Sequence, residues 1–114
     1  MFNPNFICLI GLTPFVYSSI YNSNNIHSLS VLIFGILFHT NQDNTYLRIL
    51  DIIQCILNGS IVFYLAPDSR IYGTLSFCLY LINTKYLNGN NYIHTLVQLL
   101  SWRGIYKYEN LLTN

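Results

Sequence analysis

Charge is scarce in this chain. Of its 114 residues, five are Lys or Arg and four are Asp or Glu, so that 8% are charged while 53% are hydrophobic. An ordinary soluble domain has about a quarter charged residues, and these form its hydrated surface. Nine charges cannot cover a protein of this size, and we therefore expect lipid to replace water over most of its surface.

The few basic residues also exclude a class of partner. Neutralising the phosphates of a nucleic acid needs a clustered basic face, whereas here the Lys and Arg residues are scattered and the net charge is +1. We expect no nucleic acid as a partner. The lipid bilayer is the expected partner, with another membrane protein or a second copy of the chain as further alternatives.

Cysteine is rare as well. Cys8, Cys55 and Cys78 all lie in apolar stretches, and an odd number without paired spacing excludes a disulfide framework. We expect all three to be small buried hydrophobic residues. The frequent Asn, Ile, Tyr and Leu residues are those that AT-rich codons produce, which favours an AT-rich genome such as that of a large DNA virus or a protist.

Five apolar segments follow one another along the chain, at about residues 5–21, 27–40, 46–66, 70–84 and 91–106. Only the third reaches the ~20 residues that cross ~30 Å of hydrocarbon as a helix. The short lengths favour a thin endomembrane. No Lys or Arg precedes the first segment, as one would in a signal peptide, so we expect it to be retained. Pro14 predicts a kink in this segment and not a break.

The segments have no charged helical face that could meet water. Core helices of a soluble bundle would need such faces, and the strands of a membrane barrel would alternate polar and apolar residues, which these runs do not. The sequence therefore predicts an all-α polytopic transmembrane bundle of about five short spans. We expect residues 1–114 to form a single integral membrane domain.

Three ionisable residues are expected near one membrane face. His39 ends the second segment, Asp51 follows the start of the third, and His94 follows the start of the fifth, so an up-and-down path brings them to the same side. His27 belongs to the opposite side. Two helical polar stripes extend from these residues, one formed by Asp51, Gln54 and Asn58 and the other by His94, Gln98 and Ser101.

Two imidazoles near a carboxylate are ligands of the zinc type. His39 and His94 are the candidate metal ligands, and Asp51 is the candidate catalytic residue, either as a ligand or as the base for a zinc-bound water. Structural roles stand beside this interpretation. His39 can simply end a helix, His94 can be an interfacial hydrogen-bond donor, and Asp51 can pair with Arg48 on the same helical face.

The same residues carry a resemblance to a known family. The segments "FHTNQDNTYLRILD" and "NYIHTLVQLL" resemble those of the superfamily that contains alkaline ceramidases, adiponectin receptors and myomaker. The resemblance implies a seven-helix membrane protein that holds zinc through three histidines and, in some branches, hydrolyses lipid amides with help from an aspartate. It implies that His39 and His94 bind the zinc and that Asp51 assists the water that the zinc binds.

The chain departs from that family at three points. Gly35 stands in place of the family serine, Gln98 stands in place of the third histidine, and there are about five segments and not seven. Two hypotheses remain. The chain is a small membrane protein with a structural or interaction role, or it is a reduced zinc-dependent lipid amide hydrolase-like protein, in which catalysis can have been lost.

Overall fold

The structure is a computed structural model that describes residues 2–113, and these fold as helices. The helices are α1 (Phe6–Ile10), α2 (Thr13–Tyr21), α3 (Ile26–Thr40), α4 (Thr45–Leu65), α5 (Arg70–Tyr86) and α6 (Asn91–Thr113). A 3-10 turn, Pro67–Ser69, joins α4 to α5. The all-α class predicted from the sequence is confirmed for the described residues.

Asparagine side chains begin three of the helices, and at the start of α6 Asn90 Oδ1 accepts from the backbone N–H groups of Tyr92 and Ile93. Asn5 Oδ1 accepts a hydrogen bond from the backbone N–H of Cys8 at the start of α1. Asn44 Oδ1 accepts one from Leu47 at the start of α4. Each side chain satisfies an N–H group that has no partner within its helix. The apolar segments therefore become helices with defined starts.

The helix ends match the predicted segments to within two residues, with one exception. α6 continues to Thr113, well beyond the predicted end near residue 106. Its last turns hold the fully buried Glu109, which contacts the start of α3. A tertiary contact thus stabilises a stretch whose own composition is polar.

The first apolar segment is broken between α1 and α2. The break lies at Gly11 and Leu12, and Pro14 occupies the first turn of α2. A proline is well accommodated there because that N–H would have no partner within the helix. The predicted kink at Pro14 is therefore wrong. Leu12 packs closely against α3 at Gly35, where an added Cβ would lie 2.9 Å from Leu12 Cδ1.

The helices run up and down in sequence because short turns connect them. α6 is the central helix, since it packs against α1, α2, α3, α4 and α5. The apolar core is small and consists of Leu12, Phe15, Val31, Val62, Ala66 and Ile105.

The interior is more polar than the exterior. Among the described residues, the buried side chains comprise twelve polar or charged residues and only eight hydrophobic ones. Large apolar side chains lie outside, and on α4 alone these include Ile49, Leu50, Ile53, Ile56, Leu57, Ile61 and Phe63. The buried positions of α4 are Gln54, Asn58 and Val62. This distribution is the reverse of the one expected in water.

One helix of the described chain, α4, is long and apolar enough to cross a membrane. Only 17% of its apolar window is buried inside the protein, whereas the core helix of a soluble protein would be mostly buried. Cys55 and Cys78 also lie on the outside, and only Cys8 is buried. The prediction that all three cysteines are buried is therefore wrong for two of them, because those two face away from the neighbouring helices.

Candidate metal centre

Three helix ends meet at one end of the bundle, namely the start of α1, the end of α3 and the start of α6. Backbone hydrogen bonds fix the first two against each other, since Asn5 N–H donates to His39 O at 2.7 Å and Asn3 N–H donates to Thr40 O at 2.8 Å. Cys8 lies in the first turn of α1 and His94 in the first turn of α6. The backbone therefore brings Cys8, His39 and His94 to the same place.

These three side chains form a cluster with ligand geometry. One ligand atom from each of Cys8, His39 and His94 lies within 4.8 Å of the others. The two imidazole centroids are 5.2 Å apart, with the ring planes at 70°. Cys8 and His39 are buried and His94 is half-buried. A small inward movement of the side chains would allow this group to hold a metal ion.

Two glutamine amides flank His39. Gln42 Nε2 lies 3.0 Å from His39 Nδ1, and Gln98 Nε2 lies 3.5 Å from His39 Nε2. Gln98 Nε2 also donates to the backbone carbonyl of Cys8 at 3.0 Å. Both nitrogens of the buried imidazole therefore face side chains that can orient the ring.

A cavity of about 200 Å³ adjoins the three side chains. Its polar lining is rich in amides and includes one of the five basic residues of the chain, Arg48. The remaining lining residues are Asn5, Phe38, Gln42, Tyr80, Asn83, Thr84, Gly89 and Asn91. The cluster is therefore accessible to a small polar ligand.

Asp51 belongs to a different set of contacts. Its carboxylate accepts a hydrogen bond from Gln54 Nε2 at 3.0 Å, and Asn58 Nδ2 donates to Gln54 Oε1 at 2.9 Å. Asn58 Oδ1 in turn lies 2.7 Å from His27 Nδ1. The predicted polar stripe of α4 therefore exists, but it is directed along the helix toward His27. Asp51 is not among the residues that line the cavity.

The opposite end of the bundle contains the buried carboxylate of Glu109. It accepts hydrogen bonds from the backbone N–H of His27 at 2.9 Å, from that of Ser28 at 3.3 Å, and from the Ser28 hydroxyl. These contacts cap the start of α3, where N–H groups lack partners within the helix. His27 therefore lies away from the other two histidines, as the connectivity predicts.

Connectivity predicts His39 and His94 on one side, as found, but Cys8 was not predicted to join them. The same connectivity contains the missing signal, because Cys8 is in the first turn of the first helix and must lie at the end where α3 stops and α6 starts. Glu109 was also missed, since the predicted last segment ended before it.

The positions that differ from the resembled family have local structural roles. Gly35 accommodates Leu12, and Gln98 binds the carbonyl of Cys8. Comparisons of this chain with models of protein families, with curated proteins and with solved structures give no match.

Proposed function

We propose that this chain is a small multi-pass integral membrane protein with a structural or interaction role. The observation that carries the proposal is the reversed distribution of side chains, with polar residues inside and large apolar residues outside. In lipid, polar side chains are stable only where they contact each other, and apolar ones can face outward at no cost. In water, the same exterior would be an extensive aggregation surface.

Helix lengths support more than one crossing. At 1.5 Å per residue, α4 and α6 are about 31 and 34 Å long, and α5, α3 and the α1–α2 pair are about 22 to 25 Å long. The shorter elements approach the ~27 Å hydrocarbon thickness of the endoplasmic reticulum. An endomembrane therefore suits them better than a thick plasma membrane.

Exposed tyrosines at both ends of the bundle support the same arrangement. Tyr46, Tyr86 and Tyr92 lie at helix termini on the metal-centre side, and Tyr21 and Tyr64 lie at termini on the Glu109 side; all five are at least 67% exposed. Tyrosine is enriched at both membrane–water interfaces. Two such belts indicate that the ends, and not the flanks, of the bundle contact water. The apolar flanks are then available to lipid, a second copy or another membrane protein.

A topology experiment tests the number of crossings. Reporters fused after residues 24, 43, 68 and 88 should alternate in accessibility across the membrane if five elements cross. If α4 alone crosses, the reporters after 24 and 43 will share one side and those after 68 and 88 will share the other. The second pattern would overturn the multi-pass proposal while leaving membrane insertion intact.

A zinc-dependent lipid amide hydrolase-like protein is the second candidate. It is supported by the two histidines that share one end of the bundle beside a cavity. In this candidate His39 and His94 would hold a zinc ion that supplies Lewis-acid chemistry and Asp51 would serve as the base, although in the structure Asp51 bonds to Gln54 and does not line the cavity. We expect detergent-purified protein to contain one zinc per chain, with loss of zinc in His39→Ala and His94→Ala. Asp51→Asn should retain the zinc and abolish hydrolysis of a lipid amide. Absence of zinc from folded parent protein would eliminate this candidate.

A further inference from the structure

We propose that Cys8 is the third protein ligand of a zinc-type metal centre with His39 and His94. The inference rests on the metal-binding part of the second candidate function and deepens it, because it replaces the carboxylate expected from the sequence with a thiolate. It does not require that the protein be a hydrolase.

The position of Cys8 is set by the backbone. Its N–H is held by the Asn5 side chain at 3.1 Å, and Asn5 is itself bonded to the carbonyl of His39 at 2.7 Å. Cys8 therefore cannot move away from His39 without disrupting the start of α1. A preorganised thiol beside two imidazoles is a feature of metal sites, in which ligands must converge before the ion binds.

The surroundings of Cys8 are polar. Asn91 Oδ1 lies 3.9 Å from its sulfur, and the other groups within reach are the two imidazoles. A cysteine that serves as a small hydrophobic residue is surrounded by apolar side chains. Cys55 and Cys78 lie on the exterior and are not part of the cluster of Cys8 with the two imidazoles, although Cys55 Sγ accepts a hydrogen bond from Gln54 Nε2 at 2.9 Å; they provide controls within the same chain.

Two glutamine amides hold the ring of His39 in place. A neutral imidazole has one lone pair, so only one of the Gln42 and Gln98 amides can donate to it. The Gln98 contact to Nε2 is the longer of the two, at 3.5 Å, and this amide has a better acceptor in Cys8 O at 3.0 Å. The shorter contact, from Gln42 Nε2 to Nδ1 at 3.0 Å, is therefore the hydrogen bond that orients the ring, and Gln42 Oε1 itself faces Asn5 Nδ2 at 3.4 Å. A metal at Nδ1 would replace the Gln42 contact, and a metal at Nε2 would require the other tautomer of the ring.

Gln98 contacts two of the three proposed ligand residues. Its Nε2 donates to Cys8 O at 3.0 Å and lies 3.5 Å from His39 Nε2, whereas its buried Oε1 lies against Gly11. One thiolate and two imidazoles select zinc-type ions, whereas magnesium and calcium require oxygen ligands.

Titration with Co²⁺, a spectroscopic substitute for zinc, tests the proposal on detergent-purified full-length protein. We expect one Co²⁺ per chain and a thiolate-to-cobalt charge-transfer absorption. That absorption should persist in the Cys55→Ser and Cys78→Ser double variant, where Cys8 is the remaining thiol. This measurement does not depend on whether a Cys8 variant folds.

The Cys8→Ser variant completes the test. With helicity and elution volume unchanged, its affinity for zinc should fall by more than the ~10- to 100-fold expected from loss of a residue that only orients a ligand. Gln42→Ala should fall within that smaller range. Zinc that is lost in His39→Ala but bound normally by Cys8→Ser would overturn this inference and leave the second candidate function standing. Parent protein that binds neither ion would overturn both.

Discussion

Glu109 Oε2 accepts a hydrogen bond from the backbone N–H of His27 at 2.9 Å, across 82 positions of sequence. The carboxylate is fully buried and caps the first turn of α3 from the last turns of α6. Helix starts attract negative charge because their free N–H groups carry partial positive charge. This contact holds the start of α3 to the last turns of α6.

Replacing Glu109 by alanine should destabilise the protein by about 1.5–3 kcal/mol, the usual range for hydrogen bonds to a charged group. Glu109→Gln should cost less, because an amide oxygen still accepts from a backbone N–H. Reversible denaturation in detergent, followed by circular dichroism, measures the difference. Asp68→Ala removes an exposed carboxylate and serves as the control. Equal losses at Glu109 and Asp68 would contradict the capping role.

Gly11→Ala should disturb the metal centre by displacing Gln98. The backbone of Gly11 is helical, so alanine is not strained there, but its Cβ would overlap Gln98 Oε1 and lie 3.0 Å from Gln98 Cδ. We expect weaker zinc binding in Gly11→Ala and no further loss in the double variant Gly11→Ala with Gln98→Ala, because the Gln98 contacts are already lost in the first. Additive losses in the double variant would show that Gly11 acts on the backbone and not through Gln98.

Gly59→Ala should increase the free energy of unfolding. Gly59 lies inside α4, and an added Cβ would meet nothing within 4 Å. Alanine is favoured over glycine in a helix by about 0.5–1 kcal/mol, because it loses less backbone entropy on folding. Gly73→Ala in α5 has equally open surroundings and should gain a similar amount. Detergent denaturation of both variants measures the gain, and a loss at either position would reveal a contact with another chain.

Asn58→Ala, in the polar stripe of α4, should lower the free energy of unfolding by about 1–3 kcal/mol. The change leaves buried hydrogen-bonding groups of His27 and Gln54 unpaired. Ser60→Ala, two residues away on the exposed side of α4, is the control and should be neutral. The two variants can be compared in the same denaturation assay. A neutral Asn58→Ala would indicate that water replaces the lost amide.

Much of the candidate site could be read from connectivity. Short turns between apolar segments require an up-and-down path, so the end of α3 and the start of α6 meet, which brings His39 and His94 together. Asp51 was expected at the same place. Its carboxylate instead bonds to Gln54 of the same helix, because the rotation of α4 about its axis turns the polar stripe toward His27 and not toward the cavity. Rotation depends on packing against neighbouring helices, and the polar stripe alone did not specify which neighbour it faces.

The sequence by itself determined the helical class, the positions of the helices and the apolar character of their exposed faces, because these follow from local composition. Tertiary structure alone decided that Cys8 and not Asp51 joins the two histidines, that the first segment breaks at Gly11 and Leu12, and that Glu109 extends α6. Each of these depends on side chains that are far apart in sequence, and their contacts form only when the helices have adopted one mutual rotation and depth.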